Sequence, residues 1–229
     1  MFSYYFDPTY VLVIIAFLLT LFASMGVKST FSKYNDVRSS RGITAASAAR
    51  QILDANGLQN IRIEHVSGDL TDHYSPNENV IRLSDSTYNS TSVAAIGVAA
   101  HECGHAVQHQ VGYVPIKIRN GIVPIVNVCN TLSMPIFIIG LILGLGRLAM
   151  VGAILLGAVL VFQLVTLPTE INASRRAMKT LESMYLLEGD ELTGARKTLT
   201  AAAMTYVAAV ASTALQFLRL VLLANRRRD

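Results

Sequence analysis

Two apolar runs, Ile122–Gly144 and Leu148–Leu167, follow one another with only Gly146-Arg147 and their neighbours between them. Each is about the length that crosses a bilayer core as a helix. Together they predict a transmembrane hairpin, with a kink at Pro135 in its first member. A hairpin returns the chain to the side it left. The segments directly before residue 122 and directly after residue 168 therefore face the same aqueous side.

Composition agrees with a membrane setting. Of 229 residues, 52% are hydrophobic and only 15% charged, against about 25% charged in an ordinary soluble domain. A third apolar run, Tyr10–Val27, is followed by Lys28, Lys33, Arg38 and Arg41. A cleaved leader carries its positive charge before the apolar stretch, so this run reads as an uncleaved span with residues 28 onward on the cytoplasmic side. The segments 28–121 and 169–199 hold fourteen of the nineteen Lys and Arg, which suits basic loops beside a membrane. There is no Trp and no basic stripe interleaved with aromatics, so no nucleic-acid partner is expected. Two cysteines, Cys103 and Cys129, are too few for a disulfide framework and read as reduced.

Between the first span and the hairpin lies the chemistry. Thr44 caps an expected helix that stops at Asn56-Gly57. Ile61–Val66, Leu70–Tyr74 and Val80–Leu83 read as a small antiparallel meander whose edge could pair with an extended peptide. Asn89-Ser90-Thr91-Ser92 then offers N-caps for a helix containing Ala99-Ala100-His101-Glu102-Cys103-Gly104-His105-Ala106. In H-E-x-x-H the two histidines sit one helical turn apart and can share a metal, and the glutamate lies beside them as a base: this is the zinc-metallopeptidase pattern. Ala94, Val98 and Gln108 share the histidine face, and Gly97 and Gly104 thin the helix where another element can press on it. A buried histidine is more often simply hydrogen-bonded, but two of them with a glutamate amid small apolar residues would be costly without a metal.

Catalytic zinc takes three protein ligands and a water. After the hairpin comes Leu167-Pro168-Thr169-Glu170, where Pro168 and Thr169 suit the start of a new helix. Glu170 is the best third ligand; as a bare helix-start glutamate it would need only the macrodipole to explain it. His109, His65 and His73 are weaker candidates. Glu102 is the expected general base, and Tyr206, His73 and Tyr74 are candidates for the donor that stabilises the transition state. Arg175 and Arg176 could meet a substrate carboxylate or lipid headgroups.

The strings A-A-H-E-C-G-H-A-V-Q-H, L-P-T-E-I-N-A-S-R-R-A and L-T-D-H-Y-S-P resemble the YugP-type neutral zinc metallopeptidases of bacterial membranes, which are related in plan to the HtpX-like membrane proteases. The resemblance covers nearly the whole chain. It implies a gluzincin: Zn2+ on His101, His105 and Glu170, with Glu102 as base. Such enzymes often carry an acidic partner for a ligand histidine four residues after the third ligand. Here that position is Ser174, whose hydroxyl can also accept from a histidine N–H.

The expected fold is a mostly α membrane protein with a small antiparallel β-meander and, by resemblance, a gluzincin-like zinc-protease domain built around transmembrane helices. Its expected organisation is a transmembrane helix at 10–27, a first catalytic part at 28–121, the hairpin at 122–167, a second catalytic part at 168–198, a hydrophobic helix at 199–224 and a basic tail at 225–229. On length the helix at 199–224 crosses, although Arg219 within it would be costly in lipid. The expected function is a multi-pass zinc metalloendopeptidase of the bacterial inner membrane, with its active site on the cytoplasmic side, membrane lipid around it, and proteins or peptides, above all membrane proteins, as substrates. The competing reading is a non-catalytic metal-binding membrane scaffold or regulatory subunit, which His65 or His73 as a fourth ligand would favour. A transporter has little support, because Arg219 is the only charge well inside a span.

Overall fold

A computed structural model describes residues 7–226, so the last residues of the basic tail, 227–229, lie outside the described residues. The elements are α1 (Tyr10–Asn35), α2 (Ala45–Ala55), β1 (Arg62–His65), β2 (His73–Ser75), β3 (Val80–Leu83), α3 (Val93–Gln110), α4 (Val114–Ile142), α5 (Gly146–Ser183) and α6 (Gly189–Asn225). The described residues divide into two compact units, one of residues 7–24, 118–167 and 205–226, the other of residues 25–117 and 168–204. Helices α1, α4, α5 and α6 are each long and apolar enough to cross a membrane.

The first unit is a helical bundle whose outer surface is apolar. Phe17, Phe22, Ile125, Ile142 and Ile154 are all more than half exposed, a surface that water would not tolerate at this density. Its interior is small: Val126, Phe137, Ala149, Ala153, Leu156 and Leu220 form the buried cluster. Glycines set the close approach of α4 and α5. A Cβ on Gly152 would meet the backbone N of Phe137 at 2.6 Å, and one on Gly140 would strike the backbone of Ala149, the close small-residue packing of membrane helices. Pro124 and Pro135 lie inside α4, as membrane helices allow when neighbours satisfy the freed carbonyls. At one end of this unit Asp7 accepts from Arg226 at 3.2 Å and lies 4.0 Å from Arg219. The Arg219 guanidinium also sits 4.8 Å from the centre of the Tyr10 ring. The charge that made residues 199–224 ambiguous is thus partnered at a helix end.

The second unit holds α2, the sheet, α3 and the inner stretches of α5 and α6. Thr44 Oγ1 accepts from Ser47 N at 3.2 Å, and Gly57 has φ +72°, so α2 starts and stops at its capping residues. Ser92 Oγ likewise accepts from Ala95 N at the start of α3. Ile52, Leu53, Ile81, Leu83, Ile96 and Leu181 fill the core.

The sheet is not the expected meander. Its order is β1-β3-β2, with β1 parallel to β3 and β2 antiparallel to it. The reason is burial. β3 carries Val80, Ile81 and Leu83, all 0% exposed, and takes the centre; Arg62 and His65 on β1 are exposed and suit an edge. The loop from β1 crosses to the other edge of β3, pinned by Asp72, whose carboxylate accepts from Ser84 N and from the hydroxyls of Ser84 and Thr87. β2 consequently runs from His73 to Ser75, starting later than the expected strand at Leu70–Tyr74.

A second difference concerns Pro168. It does not open a new helix, because α5 runs unbroken from Gly146 to Ser183 with Pro168 inside it. The carbonyl that a proline leaves unpaired costs least where other groups can satisfy it. Glu170 is therefore a mid-helix residue, and the macrodipole does not account for it.

Candidate functional site

The site is built where α3 and α5 touch. A Cβ on Gly104 would lie 2.6 Å from the carbonyl oxygen of Ala173, so the absence of a side chain at 104 is what lets the two helices come this close. Glu170 and Ser174 stand one turn apart on α5, on either side of Ala173, and both meet histidines of α3. His101 Nε2 lies 3.3 Å and His105 Nε2 3.5 Å from Glu170 Oε2. The two imidazoles meet edge to face with centroids 4.7 Å apart. His105 is 7% and Glu170 2% exposed, and Glu102 is 9% exposed in the same turn of α3.

The donors of His101, His105 and Glu170 all lie within 4.8 Å of one another. Ligand atoms 2.0–2.1 Å from a tetrahedral zinc stand roughly 3.3 Å apart. The observed nitrogen–oxygen separations match that spacing, and two imidazoles with a carboxylate are a known catalytic zinc set. The residues present fit the ion.

The outer nitrogens of both rings are also engaged. His101 Nδ1 is 3.1 Å from Ser174 Oγ, and His105 Nδ1 is 3.0 Å from Gln108 Oε1. Gln108 is fully buried and its orientation is fixed: Nε2 donates to the carbonyl of Thr169 at 2.8 Å and to Asn172 Oδ1 at 3.0 Å. Its oxygen must then face His105, which requires the proton on Nδ1 and leaves the Nε2 lone pair for Glu170's side of the ring. Arg176 Nε donates to the same Asn172 oxygen at 2.8 Å and completes the chain. Gln108 shows in the sequence only as a residue on the histidine face; its link to Thr169 and Asn172 spans more than sixty residues.

Burial by itself pulls the pKa of His105 down, but the hydrogen bond it donates to Glu170 and the charges of Glu102 and Glu170 outweigh it and leave it above the ordinary histidine value. Burial pushes the Cys103 thiol far up; its sulfur faces the carbonyl of Ala49 at 3.6 Å. Both cysteines are free.

The other candidates lie elsewhere. His65 Nε2 pairs with Asp85 at 2.6 Å, and His73 Nδ1 is 2.9 Å from the carbonyl of Thr71. His109 packs its ring edge against Tyr74 at 6.2 Å. None of these histidines belongs to the convergent set. Tyr74 sits on edge strand β2 in the same unit as the site, half-buried, and burial raises its pKa. Tyr206 belongs to the stretch of α6 in the first unit. Of the arginine pair, Arg176 is tied to Asn172, while Arg175 is exposed.

Residues 9–225 match the family described as "Putative neutral zinc metallopeptidase". A relative from Bacillus subtilis (strain 168), described as "Putative membrane protease YugP", is 44% identical over 218 residues, covering 95% of this chain and 97% of its own length. No solved structure matches the chain. The chain belongs to this neutral zinc metallopeptidase family.

Proposed function

We propose that this protein is a membrane-bound zinc endopeptidase of the gluzincin type that hydrolyses peptide bonds in membrane proteins. The observation that carries the reading is the convergence of His101, His105 and Glu170 from two helices onto one point, beside Glu102. Zinc, when bound, polarises the scissile carbonyl and acidifies a water. Glu102 takes the proton from the attacking water and delivers it to the leaving amine. His101 and His105 offer Nε2, their Nδ1 positions being occupied by Ser174 and Gln108. Edge strand β2 supplies backbone groups for an extended substrate, and Tyr74 or His73 on that strand supplies the donor to the developing oxyanion. A structural zinc is closed by four protein ligands; the convergent set among the described residues has three, which favours a catalytic site over a scaffold.

The four apolar helices and the relative's description support a membrane setting. The excess of Lys and Arg in 28–121 and 169–199 favours an inner-membrane orientation with these segments in the cytoplasm. The decisive experiment is peptide hydrolysis by Glu102→Gln alongside metal analysis. The variant should bind zinc as the wild type does and lose all cleavage; undiminished cleavage would sink the proposal. In parallel, Glu170→Ala should lose the metal.

A further inference from the structure

Several cations of the second unit have a partner. Arg50 pairs with Asp54, Arg82 with Glu64 and Glu78, and Arg41 donates to the carbonyl of Tyr185. Among the described residues, Lys33, Arg175, Lys179, Arg196 and Lys197 form no ion pair with a carboxylate, and all five line two grooves that share one stretch of α6. The groove between α5 and α6 has a volume of about 480 Å³. Its wall is apolar, with Ile171, Met178 and Leu199, and Arg175, Lys179 and Arg196 are exposed around it. The groove between α1 and α6 measures about 490 Å³ and adds Lys33 and Lys197 together with the hydroxyls of Ser29 and Thr30. Arg196 and Thr200 line both. Glu182 is the only carboxylate among the described residues lining either groove.

Position along the helices gives the cluster its meaning. On α1 the apolar run ends at Val27, just before the groove residues; on α6 the groove cations Arg196 and Lys197 precede the apolar stretch that begins at Ala201, whose first residues also line the grooves. If these helices cross a bilayer, as the proposed function holds, the grooves lie at headgroup depth. Cations beside hydroxyls and an apolar wall match a phosphate ester attached to acyl chains, whereas a soluble anion would use only the first of these features.

We propose that these grooves form a binding site for anionic phospholipid headgroups, centred on Arg196. The full-length protein is reconstituted in phosphatidylcholine mixed equally with phosphatidylglycerol and extracted gently, and the lipids it retains are counted by native mass spectrometry. Wild type should retain the anionic lipid in preference. Arg196→Ala should cut that preference about fivefold, the effect of one cation at a membrane surface, and Lys179→Ala and Lys197→Ala should act in the same direction. Arg62→Ala removes the same charge from a cation already paired with Glu64 and should change nothing. Arg196→Lys should retain the preference, which keeps the test valid if the alanine variant folds poorly. No preference in wild type, or an equal loss in Arg62→Ala, overturns the site. Displacement of the lipid by millimolar inorganic phosphate would make it a phosphate site, and displacement by an acidic peptide a peptide dock; either result also overturns it. Failure of the membrane reading looks different, because the protein would then enter neither phosphatidylcholine nor mixed vesicles.

Discussion

Gln108 shows how much one side chain fixes in this site. Its amide donates twice to oxygens of α5, so its own oxygen faces His105 and the ring is held in a single tautomer. Gln108→Ala should weaken zinc binding ten- to hundredfold, the usual cost of losing such a partner, as read by competition with a chelator. Gln108→Glu should do no better, because its carboxylate would face two acceptors, the Thr169 carbonyl and Asn172 Oδ1. His105 sets the pH dependence. Its pKa in the metal-free protein lies above the ordinary histidine value, so its charged form stabilises the metal-free fold at low pH and that contribution fades as pH rises through the raised pKa. Zinc needs the neutral ring. The gap in melting temperature between zinc-loaded and zinc-free protein should therefore widen from mildly acid to mildly alkaline pH, and a gap that shrinks would contradict this account.

At the scale of elements, the site depends on how closely α3 and α5 approach. Gly104 is the residue that permits it, since any Cβ there collides with the Ala173 backbone. Gly104→Ala gains helix propensity locally yet should destabilise the protein by about 1–3 kcal/mol through overpacking. It should also weaken zinc binding by separating the histidines from Glu170. Thermal unfolding with and without zinc separates the two effects. The sequence showed Gly104 as a thin place in a helix but not what pressed on it. The H-E-x-x-H helix and its Ser92 cap were legible because caps and motif spacing are local. The break expected at Pro168 was wrong for the opposite reason: proline costs a helix one hydrogen bond, and surroundings absent from a local window make that cost bearable. The sheet order was missed because strand partners are chosen by burial across the fold, and β1 and β3 are joined through a long excursion.

For the whole molecule, the pairing of Asp7 with Arg219 and Arg226 places the start of α1 and the end of α6 at the same end of the first unit. If all four apolar helices cross, as the proposed function holds, both chain ends should face one side of the membrane and the H-E-x-x-H helix the other. Single cysteines at position 8 and at position 67, introduced in place of Pro8 and Ser67, should label with impermeant maleimide from opposite faces of sealed vesicles. Labelling of both from one face would refute that topology.

The sequence alone pointed to His101 and His105 as candidate ligands and Glu102 beside them as candidate base, to the apolar spans and to the family resemblance, because each depends on residue type and short-range spacing. It also offered Glu170 as the candidate third ligand, through the rule that a hairpin brings its flanks to one side, and the structure brings Glu170 to the two histidines. Only the tertiary structure decided how the halves fit. It set α5 against α3 at Gly104, continued a helix through Pro168, and gave each histidine an outer partner in Ser174 and Gln108. Those contacts join residues more than sixty positions apart, and their energies depend on burial and mutual geometry, which no stretch of sequence holds by itself.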